Sequence, residues 1–208
     1  MSWQQRSWFY TLAYAVGFTP WDRSDVIPGQ GDQVLGVLAE QENRGGPPHG
    51  RAVDVGCGKG RYSIALARRG WQVTGVDAVP KALALARQRA QEHQVQVDFV
   101  EGDVGRLEQL VEPGVDLFLD GGCFHGMSDG ARARVVRAES AIARSGATLV
   151  MVAFHPMAGP GPRGATRDDI VAAYHGWRLV DDVALKVPAG ARGPAARARP
   201  CIYRLRKL

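Results

Sequence analysis

Ala52-Val53-Asp54-Val55-Gly56-Cys57-Gly58-Lys59-Gly60 is an apolar segment that runs into a turn with glycines at alternate positions. The residues that follow, from Arg61 onward, have the pattern of a helix. Glycine lets the backbone turn tightly and lie against a flat ligand where a Cβ atom would collide. The first amides of the helix then point at whatever lies in the turn. The stretch predicts a nucleotide-like ligand at the first crossover of an α/β sheet, with Gly56 and Gly58 beside it.

Three further apolar segments end in an acidic residue. Residues 73–77 end at Asp77, which lies 17 positions after Gly60, residues 97–103 end at Asp103, and residues 115–120 end at Asp120. In an open α/β sheet, ligands bind outside the carboxyl ends of the strands, and an acid after the second strand accepts from a ribose diol. We therefore expect these three acids to line one rim beside the glycine turn.

Together these elements resemble the class I S-adenosylmethionine-dependent methyltransferases, whose pattern is D-x-G-x-G-x-G followed by acids at the ends of strands two, three and four. The resemblance implies S-adenosyl-L-methionine as the cofactor. It implies that Asp77 accepts from the ribose hydroxyls, with Ala78 next to it at the cofactor. It further implies that Gly102, Asp103 and Val104 lie at the adenine, where Asp103 accepts from the amino group.

Each of these acids has an alternative role. Asp77 could cap the helix that begins near Pro80, and Asp103 could be an ordinary turn acid. Asp54 either orders the glycine turn or holds the amino group of the methionine moiety, directly or through water. The residues alone leave these alternatives open.

The segment Asp120-Gly121-Gly122-Cys123-Phe124-His125-Gly126-Met127 resembles the D-x-G-C-F-H segment of a branch related to thiopurine, thiocyanate and tellurite methyltransferases. Members of that branch act on small nucleophilic compounds, so the resemblance implies a small-molecule acceptor. It also implies that Asp120 lies at the cofactor and takes part in catalysis. The turn Pro20-Trp21-Asp22 resembles the same branch, in which an aromatic residue closes over the cofactor, and this places Trp21 among the cofactor residues.

His125 is the leading candidate for a catalytic base, because it follows strand four beside the expected position of the methyl group. A histidine can accept a proton from a thiol, a hydroxyl or a ring N–H near neutral pH. The alternative is a histidine that bonds loop carbonyls. His155, which follows strand five, is a second candidate for the base.

Two other classes of function compete with methyl transfer. Dinucleotide oxidoreductases carry G-x-G-x-x-G, whereas here the glycines fall at 56, 58 and 60 and Arg61 occupies the place of their third glycine. A methyltransferase-fold protein that binds the cofactor without transferring methyl, as a cyclase-like or regulatory protein, is the other alternative.

Alternating strand and helix patterns predict a doubly wound, Rossmann-like, seven-stranded α/β sheet with an antiparallel C-terminal hairpin and an N-terminal helical lid. We predict one domain over 1–208, with a helical cap at 1–50 and a catalytic core at 51–208. Helices are predicted at 1–16, 32–42, 61–69, 80–92, 105–111 and 129–145, with a capping box at Thr166 opening another. Strand five is predicted at 147–154, and the hairpin strands at 177–185 and 201–205.

Charge and composition narrow the partners. Of the formal charge of +5, seven positive charges lie after Asp182, so the preceding residues carry a net charge of −2 and no nucleic-acid partner is expected. No apolar run approaches the ~20 residues that span a bilayer. Three separated cysteines suggest neither a disulfide framework nor a zinc site and are typical of the cytoplasm. We expect a cytoplasmic monomer or homodimer without a metal.

Overall fold

The computed structural model describes residues 12, 16, 29–43, 50–157, 163–187 and 199–208. Strands and helices alternate along most of this length. The helices are α1 (Gln30–Asn43), α2 (Arg61–Arg68), α3 (Pro80–Glu92), α4 (Asp129–Ile142) and α5 (Arg167–Ala173). The strands are β1 (Arg51–Val55), β2 (Gln72–Asp77), β3 (Asp98–Glu101), β4 (Val115–Asp120), β5 (Ala143–Phe154), β6 (Trp177–Ala184) and β7 (Pro200–Lys207). Short 3-10 helices span Val104–Gln109 and Phe124–Gly126.

The seven strands form one sheet in the order β3-β2-β1-β4-β5-β7-β6. Strands β1 to β5 pair in parallel, whereas β7 is antiparallel to both of its neighbours, β5 and β6. The predicted doubly wound sheet with an antiparallel C-terminal hairpin is therefore confirmed. Strand order reverses between β1 and β4, which is where such sheets bind their ligands.

Both faces of the sheet are covered, as the near-continuous apolar strands require. Helices α1 and α2 pack against one face, where Leu38 and Leu66 lie against strand residues such as Leu117. Helix α4 and helix α5 pack against the other face, where Val135 and Ile170 belong to a larger buried cluster. The candidate site lies at the carboxyl ends of the parallel strands, where the glycine turn follows β1.

Helix α1 lies within the predicted N-terminal cap at 1–50. Val34 and Leu38 are 0% and 1% exposed, so this helix belongs to the core. At its end, Glu42 accepts from Arg69 Nη2 at 2.7 Å and from Trp71 Nε1 at 2.9 Å, which fixes it to the turn before β2. The predicted helix at 1–16, the turn at Trp21 and the lid lie largely outside the described residues, and the lid stays a prediction.

Two predicted helices differ from the structure. The helix predicted at 129–145 ends at Ile142, because Ala143 already pairs with Val115 and Gly114 N donates to Ile142 O at 2.8 Å. Gly146, the residue after the predicted end of that helix, lies inside β5 with φ +78°. The helix predicted at 105–111 is a 3-10 helix at Val104–Gln109, interrupted by Arg106 at φ −137°. Strand pairing overrides helix propensity at the first of these places.

The described residues contain neither a membrane-spanning helix nor a metal-binding cluster. Among them, no helix is long and apolar enough to cross a membrane. Within the same ranges, no three His, Cys, Asp or Glu side chains are grouped so that they could hold a metal ion.

Candidate active site

The glycine turn between β1 and α2 has the backbone that its sequence requires. Gly56, Gly58 and Gly60 have φ values of +69°, +53° and +72°, a region that favours glycine. At Gly60 a Cβ atom would also lie 2.9 Å from the Phe99 ring. The amides of Gly56 and Cys57 both donate to Val76 O, at 2.9 and 3.0 Å. The turn is therefore held against the end of β2.

Asp77 joins this turn to the start of α3. Its Oδ2 accepts from Gly58 N at 2.8 Å, and its Oδ1 accepts from Val79 N at 2.9 Å. The N-cap residue of α3 is Val79, and no side chain caps this helix. The alternative in which Asp77 is the N-cap is therefore wrong. Asp77 is half-buried, so its side chain is partly accessible at this rim. Ala78, next to it, is also half-buried.

The segment after β3 lies beside Asp77. Gly102 N donates to Asp77 O at 3.0 Å, and a Cβ atom on Gly102 would lie 2.4 Å from Leu110 Cδ1. Asp103 is the N-cap of the following 3-10 helix and accepts from Gly105 N at 2.8 Å, so it does serve as a turn acid. Its side chain stays half-buried, whereas Val104 is buried. The structure thus brings Asp77, Gly102 and Asp103 to one rim.

Asp54 is buried beneath the glycine turn. Its Oδ2 accepts from Ser63 N at 2.9 Å and from Ser63 Oγ at 2.6 Å. Burial raises the pKa of Asp54 to about 7. These contacts fit the alternative in which Asp54 orders the turn, because they tie β1 to the first turn of α2. The sequence did not mark Ser63 as a partner of Asp54.

Asp120 organises the loop that follows β4. The side chain is 0% exposed, and its oxygens accept from Gly122 N at 2.8 Å, Cys123 N at 2.5 Å and Phe124 N at 2.8 Å. Burial raises the pKa of this carboxyl to about 6 against the opposing effect of these amides. Asp120 therefore shapes the loop that carries His125, while contact with cofactor or acceptor stays a prediction.

His125 is held against β5. It is 6% exposed, its ring stacks on Phe154 with centroids 4.6 Å apart, and Nδ1 lies 3.4 Å from Val152 O. This contact with a carbonyl assigns the proton to Nδ1 and leaves Nε2 as an acceptor. Burial lowers the pKa of His125 to about 4, so the imidazole is neutral at neutral pH. The carbonyl-bonding alternative describes the geometry seen here, and a role as base stays a prediction.

Gly121 has a steric reason to be glycine. A Cβ atom at this position would lie 2.8 Å from Tyr62 Cε2. The ring of Tyr62, in the first turn of α2, therefore occupies the space that a side chain after Asp120 would need. Neither Tyr62 nor Phe154 was singled out in the sequence, because their proximity to the loop depends on how α2 and β5 pack.

Trp21 lies outside the described residues, as do residues 158–162 of the segment after β5. His155, the second candidate base, is half-buried just beyond β5.

Known proteins share this architecture. Residues 52–146 match the family model of the methyltransferase domain. A 2-heptyl-1-hydroxyquinolin-4(1H)-one methyltransferase of Mycobacteroides abscessus is 29% identical over 74% of this chain and 68% of its own length. A ubiquinone biosynthesis O-methyltransferase of Alkalilimnicola ehrlichii is 38% identical over 44% of this chain and 35% of its own. The chain spans 24–35% of the length of several such curated relatives.

Among solved structures, magnesium protoporphyrin IX methyltransferase from Synechocystis PCC 6803, with bound S-adenosylhomocysteine, superposes with a TM-score of 0.74. The two chains are 20% identical, and the superposition covers 97% of this chain and 99% of that one. At this identity the likeness concerns the fold. Over residues 52–146 the chain thus matches the methyltransferase domain, and its fold is the Rossmann-like fold of solved class I methyltransferases.

Proposed function

We propose that this protein transfers a methyl group from S-adenosyl-L-methionine to a sulfur, nitrogen or oxygen atom of a small molecule. One observation carries the proposal. Asp77, a half-buried carboxylate at the end of β2, accepts from Gly58 N of the glycine turn at 2.8 Å, and this is where an open α/β sheet places the acid that binds a ribose diol. Gly102 and Asp103 lie next to it, so one rim offers acceptors for both halves of an adenosine.

The relatives support the class of acceptor. The quinolone methyltransferase of M. abscessus matches across most of both chains, and its name gives a small heterocycle as substrate. We extend from that relative only the general class, a small molecule with a nucleophilic heteroatom. Binding without transfer, and binding of a nicotinamide dinucleotide, are the competing functions.

The chain's own residues would act mainly by orientation. When bound, S-adenosylmethionine supplies a methyl group on a sulfonium that is already electrophilic. Holding two reactants in line lowers the activation free energy by roughly 7–11 kcal/mol. Asp77, Gly102 and Asp103 would fix the nucleoside, and the loop held by Asp120 would border the acceptor. Neutral His125 would accept a hydrogen bond at Nε2 from an N–H, O–H or S–H group of the small molecule that is methylated.

His125 is a weak base at neutral pH because its pKa is about 4. The site therefore favours acceptors that react as neutral nucleophiles or are already ionised, such as acidic thiols and phenols. This narrows the compounds that should be tested first.

The experiment is a transfer assay with a panel of thiols, phenols and nitrogen heterocycles, with mass spectrometry of both the methylated product and released S-adenosylhomocysteine. We expect an acceptor-dependent release of S-adenosylhomocysteine, which the Asp77→Ala variant should reduce. Calorimetry with S-adenosylhomocysteine and with NADH provides the binding control. Tight NADH binding without a response to S-adenosylhomocysteine would overturn the proposal, whereas binding without any product would favour the cyclase-like or regulatory alternative.

We further propose that the protein works in the cytoplasm as a monomer or homodimer and has no nucleic-acid partner. All three cysteines are free thiols, which supports a reducing compartment. Light scattering gives the oligomeric state, cell fractionation gives the compartment, and an RNA fragment added to the acceptor panel tests for nucleic acid.

A further inference from the structure

Arg132 joins two loops that follow neighbouring strands. It lies on α4 and is 8% exposed. Its Nε donates to Phe124 O at 3.2 Å, and its Nη2 donates to His125 O at 3.1 Å and to Gly164 O at 2.5 Å. One buried guanidinium thus binds the backbone of the loop after β4 and the backbone of the segment that returns after β5.

The second of these partners lies at a narrow neck. Gly164 has φ +77°, and a Cβ atom there would lie 2.4 Å from Pro156 N. Ala165 N donates to Phe154 O at 2.8 Å. The chain therefore leaves β5 at Phe154 and returns to the same place at Ala165, so the base of this segment is closed by its own backbone.

His125 is held from two directions. Its ring lies on Phe154 and near Val152 O, both on β5, while its backbone carbonyl accepts from Arg132. The Arg132 guanidinium also lies 4.9 Å from the centroid of the Phe124 ring. Arginine suits this task because its planar fork donates in several fixed directions at once, whereas the lysine ammonium is a point charge on a flexible stem.

We propose that Arg132 is a positioning residue for the methyl acceptor, because it holds His125 and the neck at Gly164 in one fixed arrangement. The proposal rests on the proposed function, in which the loop that carries His125 borders the acceptor. Asp77 and the glycine turn are held by other contacts, so Arg132 acts on the acceptor side of the site and leaves the cofactor side unchanged.

Amide hydrogen exchange measured by NMR tests the coupling without any acceptor. Gly126 N and Met127 N donate within the loop after β4, and Ala165 N donates within the neck, so none of these amides bonds Arg132 itself. Arg132→Gln should speed exchange at least tenfold at both places, while Tyr174 N, which donates to Ile170 O at the end of α5, stays within twofold. Arg137→Gln, an exposed position on the same helix, is the matched control and should change none of them.

Kinetics then separate positioning from general stability. With an acceptor from the transfer screen, Arg132→Gln and Arg132→Lys should each lower kcat/KM for the acceptor at least tenfold. Their Kd for S-adenosylhomocysteine should stay within twofold of the wild type. If Arg132→Gln does not fold, Arg132→Lys decides with the same amides.

Unchanged exchange at Ala165, or a loss of S-adenosylhomocysteine affinity parallel to the loss of kcat/KM, would overturn the proposal. If the screen finds no acceptor, the proposed function fails, and the exchange measurements still decide whether Arg132 couples the two segments.

Discussion

Replacing Asp77 tests the cofactor side of the site most directly. In the structure its two oxygens accept from the amides of Gly58 and Val79, and the proposed function has the same carboxylate accept from the ribose hydroxyls. A hydrogen bond to a charged group contributes about 1.5–3 kcal/mol. Asp77→Ala should therefore weaken binding of S-adenosylhomocysteine by roughly 10- to 150-fold, at tenfold for each 1.4 kcal/mol.

Asp77→Asn sharpens this test because it keeps the shape of the side chain. Both carboxylate oxygens face backbone N–H donors, so either orientation of the new amide places its NH2 group against an N–H of Gly58 or Val79. We expect Asp77→Asn to bind no better than Asp77→Ala. Asp77→Asn also removes the negative charge of the side chain. The stability of each variant is therefore measured together with its affinity for S-adenosylhomocysteine.

The assay is isothermal calorimetry with S-adenosylhomocysteine, accompanied by thermal unfolding of each variant. Asp98→Ala is the matched control, since Asp98 is an exposed aspartate at the opposite end of a strand in the same sheet. The control should bind like the wild type. A folded Asp77→Ala protein whose affinity stays within twofold of the wild type would refute the reasoning and leave Asp77 as a link between the glycine turn and α3.

Three further predictions concern titration and packing. Because the pKa of His125 is lowered to about 4, kcat/KM for a neutral acceptor should show no histidine inflection between pH 5 and 8; an inflection near pH 6–7 that His125→Gln removes would contradict this. Buried Glu139 accepts from the Tyr174 hydroxyl at 2.7 Å, and burial raises its pKa from 4.5 to about 8. Between pH 4.5 and about 8 the folded state therefore keeps a proton that the unfolded state releases. The free energy of unfolding should fall as pH rises through this window, by up to about 1.4 kcal/mol per pH unit. Denaturation of Glu139→Gln at pH 5 and pH 8 should show a smaller change in the free energy of unfolding than the wild type shows. Gly121→Ala should destabilise the protein by about 1–3 kcal/mol, because its Cβ atom meets the Tyr62 ring, and adding Tyr62→Ala should recover part of the loss in the same denaturation assay.

The parts of the fold that depend on local signals could be predicted from the sequence. Helix α3 spans Pro80–Glu92 as predicted, because proline at its first position marks a start. The capping box at Thr166 is present, with Thr166 and Asp169 each accepting from the other's backbone amide. The rim of acids follows from parallel strands alone, since their carboxyl ends meet at one edge of the sheet.

The parts that depend on long-range contacts could not be predicted. The end of α4 at Ile142 is set by pairing of Ala143 with Val115 of β4, and nothing local to Ala143 marks it. No local pattern predicts that the oxygens of Asp120 accept hydrogen bonds from three amides of its own loop. Nor could it show that the His125 ring would be buried against β5, which lowers its pKa.

The position of β7 between β5 and β6 has a consequence for synthesis on the ribosome. Strand β5 is complete at Phe154, but its partner on that side, β7, begins only at Pro200. Strand β6 has no described neighbour in the sheet other than β7. While the intervening residues are translated, a long, apolar strand therefore keeps an open edge, which is a template for pairing with other chains. A message that stopped translation before residue 200 would leave this edge open permanently, and its product would be a substrate for chaperones and proteases rather than a smaller enzyme.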